Sequence, residues 1–366
     1  MALRVAHIVH WPKSGIGTVV RQLIENDGSG NFDYLVIFLE SDPKSESIFS
    51  QLGATVIGVS ISNNPIAAIK KIFGYLRKAD IVHVHSFLPQ LISFFASTKK
   101  SKKVRTIHNP YPYLSATDWR SKIKRSIEGF LIFLSGADLI AVSEDTLRSL
   151  PWPTPRKAIA AVIENGVAVN PPRELNDANA SIERPDGFLF VTLGRIEHQK
   201  GFDLLINAMA ILKTKLPNFP TPIHLWIIGE GGCRCSLEEQ VKSLQLENIT
   251  FVGYQIEPAN YLIMGDVFVL PSRFEGFALA AVEAMALGLP VILSEFGGIA
   301  SRLSHGKNAH ITPRENAEQL ASALILLLEH PEYRKTLAVN GKKFVDSNFS
   351  IALCASKYSA VYLRPH

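Results

Sequence analysis

The feature that most constrains this chain is an alternation. Short β-branched, apolar runs recur, and each is followed by a longer stretch with helical spacing. In the first half the runs are Arg4–His10, Tyr34–Leu39, Thr55–Val59, Ile81–His85, Arg105–Ile107, Leu139–Val142 and Ala160–Ile163. Between them, segments such as Ile16–Glu25, Pro65–Arg77 and Leu88–Thr98 have helix-compatible spacing. Strands without polar alternation must be covered on both faces, and intervening helices supply that cover, so the pattern predicts a parallel sheet.

The alternation stops at Asn165–Gly187, which carries Pro171, Pro172, Asn176, Asp177 and Pro185 and has little to bury. It then restarts: strand Phe188–Leu193, helix Gly201–Leu216, strand His224–Ile228, helix Cys235–Leu244 and strand Thr250–Phe251. Strand Val267–Leu270, helix Leu279–Leu287, strand Val291–Leu293 and helix Ala317–Glu329 follow. A chain of 366 residues exceeds one ordinary core, so two α/β, doubly wound domains are predicted: 1–168 and 188–345, with 169–187 as linker. Open sheets of this kind take ligands beyond the carboxyl ends of their strands, so functional residues should sit just after strands.

Composition narrows the function classes. Three cysteines, Cys233, Cys235 and Cys354, cannot build a disulfide framework or a four-cysteine metal site, which suits a reducing, cytoplasmic setting. The first residues read as a buried strand, and the longest apolar stretch, Gly129–Ala137, is too short to span a bilayer. Residues 1–180 hold 21 Lys and Arg against 15 Asp and Glu, while 181–366 hold 17 against 18. The excess positive charge therefore lies in the first half, in clusters such as Lys99–Arg105 and Arg120–Arg125. Such a face suits an anionic lipid surface or a phosphate-bearing acceptor. Trp119–Leu134 joins a basic start to an apolar end, the pattern of a helix lying at a membrane interface. Nucleic acid is not expected, because the clusters lack interleaved aromatics.

Chemistry-bearing residues fall where the strand rule places them. Glu275 follows strand Val267–Leu270, and Glu283 lies eight positions on, one to two turns into an otherwise apolar helix. Between them the amides of Gly276, Phe277, Ala278 and Leu279 open that helix, an arrangement suited to an anion. Arg195 and Lys200 follow strand Phe188–Leu193 and offer a guanidinium fork and a point charge for phosphate. No Asp-x-Asp pair occurs, so no carboxylate pair for a divalent metal is evident, and two cations at a leaving diphosphate are a coherent substitute. Gly15 and Gly17 follow the first strand and let backbone approach a ligand closely. Their loop superficially resembles a dinucleotide fingerprint with Glu40 as ribose acid, but the third glycine is missing. His83 and His85 alternate on one strand face, and His108 closes the next strand.

Together these segments resemble the retaining GT-B glycosyltransferases, specifically glycosyltransferase family four. The matching pieces run from Gly15-x-Gly17 through Asp80–His85, Thr106–His108, Val142-Ser143 and Ile163–Val167. They continue through Gly194–Gly201, Ile228–Gly231, Phe251-Val-Gly253, Glu275-x7-Glu283 and Gly288–Gly298. The resemblance implies two Rossmann-like domains facing a central cleft, with a last helix near Ser350–Tyr362 crossing back, so that 346–366 joins the acceptor-side domain. It implies donor diphosphate binding by Arg195 and Lys200, ribose binding by Glu283, and contact with the transferred sugar by Glu275 and His108. The Gly15–Gly17 loop and Gly253 complete the implied donor site.

The function expected from this is metal-independent, cofactor-free transfer of a sugar from a nucleotide diphosphate, UDP favoured, with retention. The expected acceptor is lipid-linked or an oligosaccharide of cell-envelope polysaccharide synthesis, met at the inner membrane face. A GT-B epimerase and a nucleotide-sugar-binding scaffold remain as alternatives.

Overall fold

The computed structural model describes residues 2–96, 100–110, 119–150, 154, 158–168 and 183–364, with backbone alone at 120–122, 124 and 125. Residues 169–182 of the linker therefore lie outside the described residues. So do the side chains of Lys122, Lys124 and Arg125.

The chain divides into two compact units, Met1–Ala168 with Ile351–His366, and Val169–Ser350. The first unit contains strands β1 (Leu3–Val9), β2 (Phe32–Phe38), β3 (Thr55–Gly58), β4 (Ile81–Val84), β5 (Lys102–Ile107), β6 (Asp138–Ala141) and β7 (Ile159–Val162). They form one sheet in the order β3-β2-β1-β4-β5-β6-β7, every pair parallel. The second unit contains β8 (Phe188–Leu193), β9 (Ile223–Ile228), β10 (Ile249–Gly253), β11 (Val267–Leu270), β12 (Val291–Ser294) and β13 (His310–Thr312). Their order is β10-β9-β8-β11-β12-β13, again parallel throughout.

Both orders reverse at one place, between β1 and β4 and between β8 and β11. At such a switch point the connections leave in opposite directions and open a crevice at the strand ends. The candidate residues of the first unit follow β1, β4 and β5. Those of the second follow β8 and β11, with Gly253 closing β10.

The strands form because Val, Ile, Leu and Phe fill them and both faces are covered: β8, β9, β11 and β12 are almost entirely buried. Helix Pro65–Leu76 starts where Asn64 accepts from the Ala67 amide and Pro65 presets the first turn. Helix Pro43–Gln51 uses the same device, with Asp42 as its cap, and Pro331–Asn348 also opens on proline. The sequence pattern above omits both. Both are largely polar helices that bury few side chains, so their periodic signal is weak and only the Asp-Pro and His-Pro starts mark them.

The helix Ile351–Leu363 belongs to the first unit and is bound there by polar ties. Lys102 Nζ donates to the carbonyls of Val361, at 2.6 Å, and Arg364, at 2.9 Å. The hydroxyl of Tyr362 lies 2.7 Å from His83 Nδ1.

Candidate active site

In the second unit two loops are joined into one platform. After β8 the chain runs through Gly194 and Arg195 to a single 3-10 turn, His198–Lys200. After β11 it runs through Pro271 to Ala278, where helix Leu279–Ala286 begins. The Arg273 amide donates to the Gln199 carbonyl at 2.8 Å, and Gln199 Nε2 to the Phe274 carbonyl at 3.0 Å. The Arg273 guanidinium forks onto both oxygens of Asp203 at 2.8 Å each, which holds the Asp203 carboxyl below its ordinary value. A two-pronged charge-assisted contact fixes direction as well as distance, so Arg273 locks the two loops together. Gly201, at φ 65°, is the hinge of the first loop; a β-carbon there would lie 2.2 Å from the Pro271 carbonyl oxygen. Only glycine permits that approach.

Lys200 and Glu275 meet on this platform. Lys200 Nζ donates to Glu275 Oε1 at 2.7 Å, and the Ser272 hydroxyl donates to the same oxygen at 2.6 Å. Glu275 is only 5% exposed. A carboxylate so dehydrated needs this cation and this hydroxyl. The sequence reading assigns the two residues separate partners; the structure pairs them with each other. Arg195, in the same loop as Lys200, is exposed, and Glu283 is half-buried as the fifth residue of its helix.

The segment between the glutamates behaves unevenly. Gly276, Phe277 and Ala278 are buried, and Leu279 is half-buried. The Phe277 ring packs edge-on against Phe349, 5.3 Å between centroids, so that side chain is core and only its backbone can serve a ligand. Ala278 sits at φ 64°, ψ 57°, a left-handed conformation that a residue with a β-carbon adopts at a cost. Gly253, at the end of β10, accepts from the Gly229 amide at 2.9 Å.

The first unit answers with histidines. Burial is complete for His7 and His83 and near-complete for His85, and His108 is half-buried just after β5. His7 Nδ1 lies 3.0 Å from His85 Nε2, and His85 Nδ1 lies 2.9 Å from His108 Nε2. His83 is held by Tyr362 and, at 2.8 Å, by the Thr106 hydroxyl. Burial pushes His7 and His108 down to about 3 and leaves His83 and His85 well below the usual range, so all four rings are neutral. Ser14 caps helix Gly15–Glu25 by accepting from the Gly17 amide. Gly15 is exposed and Gly17 buried, where a β-carbon would meet the Pro12 carbonyl oxygen at 2.1 Å. Glu40 binds the Ser62 amide and hydroxyl, a local loop tie rather than a ribose site.

Ser272, Arg273, Asp203, Gln199 and His7 were absent from the sequence reading. His7 had a visible signal, a histidine in the apolar run that follows Arg4 in the first strand. Arg273 had only its place after a strand.

Two parallel, doubly wound sheets, each with charged or imidazole groups at its switch point, are the architecture of the GT-B glycosyltransferases. Residues 13–170 match the family model for Glycosyltransferase Family 4, and 175–344 that for Glycosyl transferases group 1; the chain belongs to this family. An uncharacterised glycosyltransferase of Methanocaldococcus jannaschii is 30% identical over 77% of this chain and 75% of its own. A capsular polysaccharide biosynthesis glycosyltransferase of Staphylococcus aureus, CapM, is 27% identical over 48% of this chain and 46% of its own. Among solved structures, HepE of Anabaena in complex with UDP and glucose superposes with a TM-score of 0.82 at 17% identity, covering 98% and 99% of the two chains.

Proposed function

We propose that this enzyme transfers a sugar from a nucleoside diphosphate, UDP favoured, to an envelope polysaccharide or lipid-linked acceptor, with retained configuration and without a metal. The Lys200–Glu275 pair carries the reading. It places one ammonium and one buried carboxylate on a locked platform at the switch point between β8 and β11, with Arg195 exposed in the same loop. A diphosphate arriving there draws Lys200 from Glu275, and Glu275 then accepts from sugar hydroxyls. Arg195 and Lys200 stabilise the charge that grows on the departing phosphate. The bond from the anomeric carbon to phosphate oxygen breaks, and the acceptor oxygen attacks from the same face. The acceptor's proton passes to the departing phosphate. Glu283 serves the ribose, the Gly15–Gly17 loop the phosphates, and His108 the transferred sugar. Likeness to a capsular polysaccharide enzyme and to a UDP-bound fold supports the choice of acceptor and nucleotide.

The acceptor side has its own support. Helix Trp119–Ser135 exposes Trp119, Ile123, Ile127, Phe130, Phe133 and Leu134, while Leu131 and Ile132 are buried. That spacing is one helical stripe, and Arg120, Lys122, Lys124 and Arg125 share its first turns. An anionic membrane fits both: the stripe enters the headgroup boundary, and each basic residue adds ~1 kcal/mol. Among the described residues no helix is long and apolar enough to cross a membrane.

A thermal-shift screen of nucleotide sugars, then product analysis with and without acceptor in EDTA, tests the reading. Product forming only with acceptor, in the donor's anomeric configuration and in EDTA, is expected. An inverted product, or full dependence on magnesium, refutes the mechanism. An epimerised nucleotide sugar formed without acceptor refutes transfer itself. Sedimentation with anionic liposomes should fall as salt rises; indifference to such vesicles at low salt removes the membrane.

A further inference from the structure

His7, His85 and His108 form a series of three rings joined nitrogen to nitrogen, at 3.0 and 2.9 Å. The series begins inside β1, crosses to the residue after β4, and ends after β5, where the family resemblance places sugar contact. Its inner end is set within the sheet, where His7 and His83 are in register across β1 and β4 and fully buried, while His85 and His108 each follow directly on a strand.

A neutral imidazole has one N–H and one lone pair. His85 must serve two neighbours with a single proton, so the two bonds run head to tail. Either every proton points toward His108 or every proton points toward His7. The far end decides. Among the described residues none gives the buried His7 Nε2 a hydrogen bond. A proton there would be a buried, unpaired N–H, the rarer kind of orphan. The bare lone pair is the cheaper state, so the proton of His7 sits on Nδ1 and is donated to His85 Nε2. The proton of His85 then sits on Nδ1 and is donated to His108 Nε2. With its Nε2 accepting, His108 carries its own proton on Nδ1.

From this we propose that His7 and His85 are positioning residues that fix His108 as a neutral Nδ1–H donor, so that it offers the sugar a hydrogen bond and not a base. The proposal rests on the assignment of His108 to the transferred sugar only for its consequence; the tautomer stands or falls alone. His83 completes the device. Its two nitrogens are held by Tyr362 and Thr106, and its ring lies 4.2 Å from that of His85 and 4.9 Å from that of His7. A ring so held packs against both His7 and His85. His7, His83 and His85 also bring ligand atoms within 4.8 Å of one another, a spacing that could hold a metal ion. That would strip His85 of a neighbour, because both of its nitrogens are already engaged.

The test is the ring nitrogen spectrum of the full chain, labelled with 15N-histidine and read by two-bond proton–nitrogen correlation. His108 is assigned by the signals lost in His108→Gln. The expected wild-type result is the neutral Nδ1–H pattern for His7, His85 and His108 at pH 7. His7→Leu removes the first donor and should convert His108 to a mixture of tautomers. His7→Asn, whose amide nitrogen replaces Nδ1, should restore the single pattern. An Nε2–H signal for His108 in the wild type overturns the proposal, whether or not either variant folds. So does an unchanged His108 pattern in a folded His7→Leu. Added Zn2+ should leave the spectrum unaltered; loss of the His85 and His108 patterns on titration makes the cluster a metal site instead. Unaltered donor turnover in His108→Gln refutes only the sugar contact.

Discussion

The two sheets share one plan and place their polar chemistry oppositely. In the second unit β8 and β11, the strands that lead into the site, carry no titratable side chain, and the charged groups, Arg195, Lys200, Arg273 and Glu275, lie in loops beyond their ends. In the first, polar side chains enter the sheet itself: His7, His83, Arg105 and Thr106 are strand residues at most 3% exposed, and Arg105 is paired with the buried Glu128. Charge can be kept in a loop because water and a ligand can satisfy it. Within a sheet it must be neutral or tightly paired. The first unit is therefore built to hold groups in fixed protonation states, and the second to exchange one ionic partner for another.

Acid should break the comparison most strongly. The four buried rings titrate below their ordinary value of 6.5, so between that value and their folded one the unfolded chain binds more protons. Stability is then fully present above pH 6.5 and is lost as pH falls, by about 1.4 kcal/mol per pH unit per ring. In the second unit only His310 is clearly lowered, to about 4. Hydrogen exchange at pH 5 and pH 7.5 should show the first unit opening selectively in acid; equal loss in both units would erase the distinction. Next in size, Arg105→Met strands Glu128 in the core and should cost about 3–5 kcal/mol, read as a lower midpoint in urea. Changing both residues to leucine should recover most of that. Lys200→Ala should reduce turnover by ~10²–10³-fold, since it removes a cation from the leaving group, and should also lower the urea midpoint, since it leaves the buried Glu275 without its cation. The smallest effect belongs to Gly201→Ala, which forces a β-carbon toward Pro271 and a positive φ; a loss of about 1–3 kcal/mol is expected, confined to the second unit.

Much of this was legible from residues. The apolar runs locate the strands because burial on both faces leaves little choice of residue, and β8 and β11 carry the bounds read from sequence. Glu275 and Lys200 were found because strand ends are where such sheets bind ligands. Their pairing was not legible, since it depends on how Arg273 and Asp203, 70 residues apart, clamp two loops. Nor was the role of Phe277: whether an aromatic after a loop faces a ligand or the core depends on Phe349, which no local pattern connects to it. His83 and His85 were seen to share a face, but that face proved to be interior, filled by His7 and Tyr362.

The tie between His83 and Tyr362 joins residues 279 positions apart. On a ribosome adding ~5–20 residues per second, His83 emerges roughly 15–55 seconds before its partner. The whole second unit is made in that interval and can fold while the first still lacks its closing helix. Until Ile351–Leu363 arrives, the face it will cover stands open, with His83, Thr106 and Lys102 still in water. A chaperone acting on this protein during synthesis would find its substrate there, in the unit made first and finished last.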